Sequence, residues 1–337
     1  MTRNNVRRGG VALVAAALLT AGCSSSGSTS EPGSSGSGGA PKTLAEALKG
    51  VHAAGTTRTE LGWGQYGGAS GADYDTVLEP VLGFSVRKSA FVVTVGRPPN
   101  DLSVLYGSFD PAAIGAKLQG LGFKQTDRGH GETQWLIRDD HRIDMNQKPE
   151  ELAQTMAAYN VIRVSKDRVV YGGATADLDA ALPAQSASLA DDPVIGGIAK
   201  CLAADASGMF TADPVPLAVG VGPNGTEQIC VSAPDDATAK KYGDAFSQAV
   251  TSGTSQLTTT PWKEMFTGPE VESLGGTGHV MRLTVTDADQ SHPRLESALL
   301  HQDILGLIGV PAPAGRQRTP AQSQTSSPSD VTSSPSS

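Results

Sequence analysis

Basic and aromatic residues are scarce in this chain, and their scarcity restricts what it can bind. The 337 residues include 26 lysines and arginines against 34 aspartates and glutamates, and aromatic residues make up 5%. The formal net charge is −8, and it becomes −11 once the first 22 residues, with three arginines and no acid, are removed. An acidic, aromatic-poor surface repels phosphates, so we expect no nucleic-acid partner and no electrostatic attachment to anionic lipids.

The usual catalytic and metal-binding motifs are missing as well. A G-x-S-x-G nucleophile elbow does not occur, and the S-x-x-K pattern at Ser85–Lys88 has no K-T-G partner elsewhere. The six histidines are scattered and form neither H-E-x-x-H nor H-x₃-H pairs. Asp139, His141 and Asp144 form the densest polar cluster, but in a strand the third side chain would point away from the other two. We therefore predict a solvated turn there, no catalytic residue, no metal site and no cofactor.

The apolar run near the start of the chain is too short to cross a bilayer. It extends from Val11 to Leu19, whereas a spanning helix needs roughly 20 apolar residues. Three arginines precede the run and the small residues Thr20, Ala21 and Gly22 follow it, which is the layout of a secretory signal peptide. We predict that residues 1–22 are this signal peptide, and Cys23 stands directly after it.

The segment LTAGC, residues 19–23, resembles the lipobox of bacterial lipoproteins. In that family the cysteine sulfur receives a diacylglyceryl group, with acyl chains such as palmitate, and the chain is cut just before the cysteine. The resemblance implies lipidation at Cys23 and an extracytoplasmic protein attached through its acyl chains to the outer face of the cell membrane. Two or three chains suffice for lasting attachment, at about 0.8 kcal/mol per buried CH₂. The alternative is an ordinary secretory signal with an incidental cysteine.

Only two cysteines, Cys201 and Cys230, occur in the rest of the chain. An even pair in an exported protein indicates a disulfide, which would close a loop of about 30 residues and contribute roughly 3 kcal/mol. Two free buried thiols are the alternative. A metal site is not expected, because the pair has neither CxxC spacing nor a nearby histidine.

Two segments of low apolar content enclose the body of the chain. Residues 23–41 combine the acylated cysteine with a Ser/Gly-rich tether, and residues 311–337 form a Pro/Ser/Thr-rich tail that we predict to be disordered. Between them we predict two α+β domains, residues 42–204 and residues 205–310.

Helix-start signals and strand-like runs alternate within this body. Capping residues mark three helix starts, at Thr43, at Asp110 and at Asp235 or Asp236. A single amphipathic helix is predicted for Arg294–Ile308 at the end of the body.

The segments SFDPAAIGAKL, from Ser108, and SAPDDATAKKY, from Ser232, have the same layout. Each ends a strand, places an aspartate at a helix cap and continues into the helix. This predicts two copies of a strand–helix–strand–strand unit of ferredoxin-like arrangement, as an old duplication would produce. The expected fold class is α+β, with two antiparallel sheets and helices on one face of each.

Trp63, Gln65 and Tyr66 lie in the glycine-rich stretch WGQYGG, residues 63–68. Aromatic side chains among glycines provide stacking surface on a mobile loop, so this stretch is a candidate ligand loop. The alternative, which we favour, is a strand end whose aromatic side chains cap the core.

Parts of the chain also resemble a known group of proteins. The lipobox, the tether and the Ala/Gly/Pro-rich, Lys-poor body resemble envelope lipoproteins of high-GC Gram-positive bacteria, and Phe91–Phe123 resembles a pattern in uncharacterised members of that group. The resemblance implies an envelope location and no particular activity. We expect a non-catalytic binding or accessory module for an envelope protein, a glycan or a small ligand. The alternatives are a solute-binding lipoprotein of a transporter and an envelope-polymer hydrolase.

Overall fold

The structure, a computed structural model, describes residues 39–64, 72–155, 157–182, 187–202, 207–222, 225–289 and 294–311. Its helices are α1 (Leu44–Ala47), α2 (Ala72–Leu82), α3 (Pro111–Gly120), α4 (Glu150–Gln154), α5 (Thr175–Ala181), α6 (Ile195–Cys201), α7 (Asp236–Ser252), α8 (Trp262–Met265), α9 (Arg294–Leu300) and α10 (Ile304–Leu307). Its strands are β1 (Glu60–Gly64), β2 (Phe91–Val95), β3 (Leu102–Tyr106), β4 (Lys124–Gly129), β5 (Glu132–Leu136), β6 (Val161–Val164), β7 (Arg168–Gly172), β8 (Ser207–Thr211), β9 (Leu217–Val221), β10 (Thr226–Val231), β11 (Phe266–Gly275) and β12 (Val280–Asp287).

The predicted helix starts are present, and each is capped by the expected side chain. Thr43 accepts a hydrogen bond from the backbone N–H of Glu46, and Asp110 accepts from Ala112 and Ala113. Asp235, rather than Asp236, caps α7. A cap satisfies backbone N–H groups that lack a partner within the helix, so these residues determine where the helices begin.

The strands form one sheet rather than two. Its order is β11-β12-β10-β9-β8-β1-β2-β3-β7-β6-β5-β4, and each neighbouring pair is antiparallel. The predicted units join because β1 pairs with β2 on one side and with β8 on the other. The α+β class is confirmed, whereas the expectation of two separate sheets is wrong. The domain boundary at residue 204 and the duplication stay predictions.

The strand–helix–strand–strand order occurs in both halves of the sheet. It appears as β3-α3-β4-β5 and as β10-α7-β11-β12, with the short helix α8 following α7. In the second half β12 pairs directly with β10. In the first half the β6–β7 hairpin lies between β3 and β5, so these two strands are not neighbours.

Helices pack on both faces of the sheet, not on one face as predicted. One face carries Trp63, Val93 and Cys230 and is covered by α1, α5 and α6. We call it the disulfide face. The opposite face carries two separate apolar clusters, because residues paired across antiparallel strands share a face and alternate along each strand. Helices α2, α3 and α4 cover one cluster, and helices α7 to α10 cover the other.

Candidate functional site

A groove of about 590 Å³ lies on the opposite face, where helices α9 and α10 meet the sheet beside β1 and β8. Its apolar wall includes Leu299 and Leu300 at the end of α9, together with Ile304 and Leu305 of α10. Met209 of β8 also lines it. Leu300 is 62% exposed, whereas Leu295 and Ala298 of the same helix are buried, so this wall presents apolar surface to a ligand.

A buried glutamate attaches the first helix of this wall to the sheet. Glu227 of β10 accepts hydrogen bonds from the backbone N–H groups of Arg294 (3.0 Å) and Leu295 (2.7 Å). Burial raises the pKa of Glu227 to about 7, and the two N–H donors act in the opposite direction. Arg294 also forms an ion pair with Asp287, at 3.0 Å, on the neighbouring strand β12. The start of α9 is therefore held by two strands.

The wall bends between α9 and α10, where a single helix was predicted. Asp303 is buried, and its carboxylate accepts hydrogen bonds from the Ser255 hydroxyl (2.6 Å) and the Gln256 backbone N–H (2.9 Å). Gln302, immediately before it, has a positive φ of 62°, which an α-helix does not permit. The prediction of one helix over Arg294–Ile308 is wrong because this contact with a distant loop interrupts the helix.

The rim of the groove is polar and carries an excess of negative charge. Arg97, which follows β2, pairs through Nε with the Glu60 carboxylate at 2.6 Å and through Nη1 with Asp213 at 3.4 Å. Glu60 is 45% exposed and Asp213 is 74% exposed. Pairs this exposed contribute little to stability, so a ligand can replace them without a large loss.

A strip of small polar residues runs along the sheet next to the groove. Gly62 of β1 lies between Met209 of β8 and Thr94 of β2, and Thr94 lies opposite Ser103 of β3. The Thr94 and Ser103 hydroxyls form a hydrogen bond of 2.8 Å. This strip separates the two apolar clusters of the opposite face.

Trp63, the described residue of the predicted ligand loop, does not line this groove. Trp63 lies in β1 with its side chain buried on the disulfide face, where its ring lies over Gly208. This is the position that the alternative interpretation, an aromatic capping the core, describes. Gln65 and Tyr66 lie outside the described residues, so a ligand role for the loop stays a prediction.

Cys201 and Cys230 form the predicted disulfide. Their Cα atoms are 6.1 Å apart, and the bond ties the end of α6 to strand β10. Both residues are buried, and Arg282 of β12 donates two hydrogen bonds to the backbone oxygen of Cys201. The pair is therefore a structural element of the disulfide face. Cys23 lies outside the described residues, and its acylation stays a prediction.

The polar cluster at residues 139–144 is an anchored turn. His141 pairs with Asp177 of α5 at 3.3 Å, and burial raises the pKa of that aspartate. Asp144 accepts a hydrogen bond from the backbone N–H two residues later, and Asn160 donates to the backbone oxygen of Asp139. Within the part of the chain that the structure describes, no three metal-binding side chains converge.

Sequence reasoning missed the groove, and no local signal could have revealed it. Glu60, Arg97, Asp213 and Leu300 come from four segments that only the folded sheet and the last helices bring together. None of them belongs to a motif with a fixed spacing.

Comparison with known proteins gives no family assignment. No family model matches the chain, and no curated protein matches it. A solved structure titled "Structure of crystal form IV of TP0453" is 10% identical, with a TM-score of 0.32 over 73% of this chain and 94% of that one. A likeness of this size carries no information on function. Among the described residues, none of the helices has the length and apolar character needed to cross a bilayer.

Proposed function

We propose that the protein is an extracytoplasmic binding module of the cell envelope, attached to the outer face of the membrane through Cys23. Its binding site is the groove beside α9 and α10. The groove carries the proposal, because about 590 Å³ lies within the range of roughly 300–1,000 Å³ that ligand sites occupy. It also combines an apolar wall with a few polar groups, as such sites do.

Two further observations support the location. The disulfide between Cys201 and Cys230 suits an oxidising compartment outside the cytoplasm. The basic, apolar and small-residue segments before Cys23 have the layout of an export signal that ends in a lipobox.

The two alternative functions have less support. A solute-binding lipoprotein of a transporter would need two lobes with parallel sheets, whereas each strand pair of the described sheet is antiparallel. A hydrolase of envelope polymers needs a carboxyl group in apolar surroundings to act as an acid. The two carboxylates of the groove, Glu60 and Asp213, are instead exposed and share Arg97.

Mass spectrometry of the mature protein tests the attachment. In a bacterial host that processes lipoproteins, we expect a chain that begins at Cys23 and carries a diacylglyceryl group. The Cys23→Ser variant should lack the modification. An unacylated wild-type chain, or one cleaved at another residue, would remove the attachment from the proposal and leave the groove untouched.

Methyl-labelled NMR tests the groove by itself. A panel of small amphipathic molecules should shift the methyl signals of Leu299, Leu300 and Ile304 before those of the buried leucines on the disulfide face. Shifts confined to other surfaces of the protein would show that the groove is not the binding site.

A further inference from the structure

We propose that the ligand of the groove is a cationic amphiphile. Its apolar chain lies against α9 and α10, and its ammonium or guanidinium head lies beside Asp213. This inference rests on the proposed function, because it names the class of ligand that the same groove would take.

The apolar wall selects the chain. Leu300 and Met209 both line the groove, together with Leu299, Ile304 and Leu305, so an alkyl chain bound there would remove apolar surface from water. Leu300 has 62% of its surface exposed, so contact with the chain would cover a large apolar area. The chain therefore contributes to the affinity whatever the head carries.

The rim selects the charge of the head. Two carboxylates and one guanidinium line it, which leaves one negative charge in excess. Arg97 lies closer to Glu60 than to Asp213, at 2.6 Å against 3.4 Å, so Asp213 has more capacity left for a second cation. An anionic head would meet two carboxylates and would have to displace one of them from the arginine.

Asp213 is also held in place. The Thr211 hydroxyl donates a hydrogen bond to the backbone oxygen of Asp213 at 3.1 Å and accepts one from its N–H at 3.3 Å. Thr211 itself lines the groove. The backbone that carries the carboxylate is thus ordered, so less conformational freedom is lost when a cation binds.

Three probes with one chain and different heads test the selection: octyltrimethylammonium, octyl glucoside and octyl sulfate. Each probe is titrated into the full-length protein at concentrations below the critical micelle concentration of that probe. The dissociation constant is measured by calorimetry. We expect the cation to bind about three- to fivefold more tightly than the neutral glucoside, and the sulfate to bind most weakly. The preference should shrink as salt is raised from about 0.01 M to about 0.15 M.

Matched variants separate the head from the chain. Asp213→Asn should remove the cation preference and leave octyl glucoside binding unchanged. Asp244→Asn on α7, an aspartate of similar exposure that also pairs with a cation, should change neither. Leu300→Gln should weaken binding of all three probes about tenfold, whereas Met145→Gln, at a similarly exposed apolar residue of a distant loop, should not.

The possible outcomes distinguish this inference from the proposed function. Equal affinity for the three heads, or tighter binding of the sulfate, would overturn the cationic ligand. If Leu300→Gln still weakens binding in that case, the groove remains the binding site. Binding that Leu300→Gln leaves intact overturns both. Selective binding of a cationic peptide, with none of the three amphiphiles bound, also overturns the inference.

Discussion

Replacing Glu227 with glutamine tests how the wall of the groove is held. Glu227 is buried beneath the start of α9, and its two carboxylate oxygens each accept one backbone N–H from that helix. Glutamine has nearly the same shape and keeps one acceptor oxygen, but it cannot ionise. The substitution therefore removes the titration of this site without opening a cavity.

The direction of the effect follows from the pKa. Burial raises the pKa of Glu227 from 4.5 to about 7, and the nearby Asp287 adds to the rise. The folded state thus holds this proton more tightly than the unfolded chain does. The resulting stability is fully present below pH 4.5 and is lost as the pH rises to about 7. At about 1.4 kcal/mol per pH unit, the loss across this interval is about 3 kcal/mol.

Urea unfolding, followed by tryptophan fluorescence at a series of pH values, measures the contribution of Glu227 to the free energy of unfolding. Between pH 4.5 and pH 7, the free energy of unfolding of Glu227→Gln should improve relative to wild type by about 3 kcal/mol. The substitution also removes one acceptor oxygen, which changes the free energy of unfolding by the same amount at every pH. That change leaves the slope of the free energy against pH unaffected. Glu270→Gln, at an exposed position of β11, should keep the wild-type slope. Parallel curves for wild type and Glu227→Gln would refute a raised pKa at Glu227.

Three further variants test the packing of the sheet and of the helices that cover it. Replacing Cys201 and Cys230 together with alanine should lower the free energy of unfolding by about 3.5 kcal/mol, because the bond closes a loop with a separation of 29 residues. An unchanged urea midpoint would contradict that reasoning. Gly208→Ala should destabilise the sheet by at least about 2 kcal/mol, since its new Cβ would lie 2.1 Å from a backbone oxygen. Gly62→Ala, where nothing lies within 4 Å, is the control, and equal thermal shifts for the two would refute the clash. Asp303→Ala should lower stability by about 1–3 kcal/mol and broaden the methyl signals of α10, and sharp unshifted signals would show that the carboxylate does not hold the bend.

Helix starts could be predicted because capping involves only a few neighbouring residues. Asp110 and Asp235 cap their helices through N–H groups two or three residues away, so the residue types and their spacing contain the required information. The same holds for the even pair of cysteines, where the count alone indicated the bond that the structure contains.

Elements that depend on distant partners were predicted wrongly or not at all. The last helix breaks because Asp303 binds Ser255, which is 48 residues away in the chain. Strand β11 is exposed over most of its length and has no alternation of apolar and polar residues that would indicate a strand. It is a strand because it pairs with β12.

The sequence by itself determined the elements that depend on composition and short spacings. These are the acidic and aromatic-poor character, the α+β class and the helix caps, whereas the leader ending at Cys23 stays a prediction. Only the tertiary structure decided that the halves share one sheet and that Glu60, Arg97, Asp213 and Leu300 line one groove. The physical reason is that strand pairing and helix packing join residues far apart in the chain. No pattern within a short window of sequence encodes which of several strands will be a neighbour.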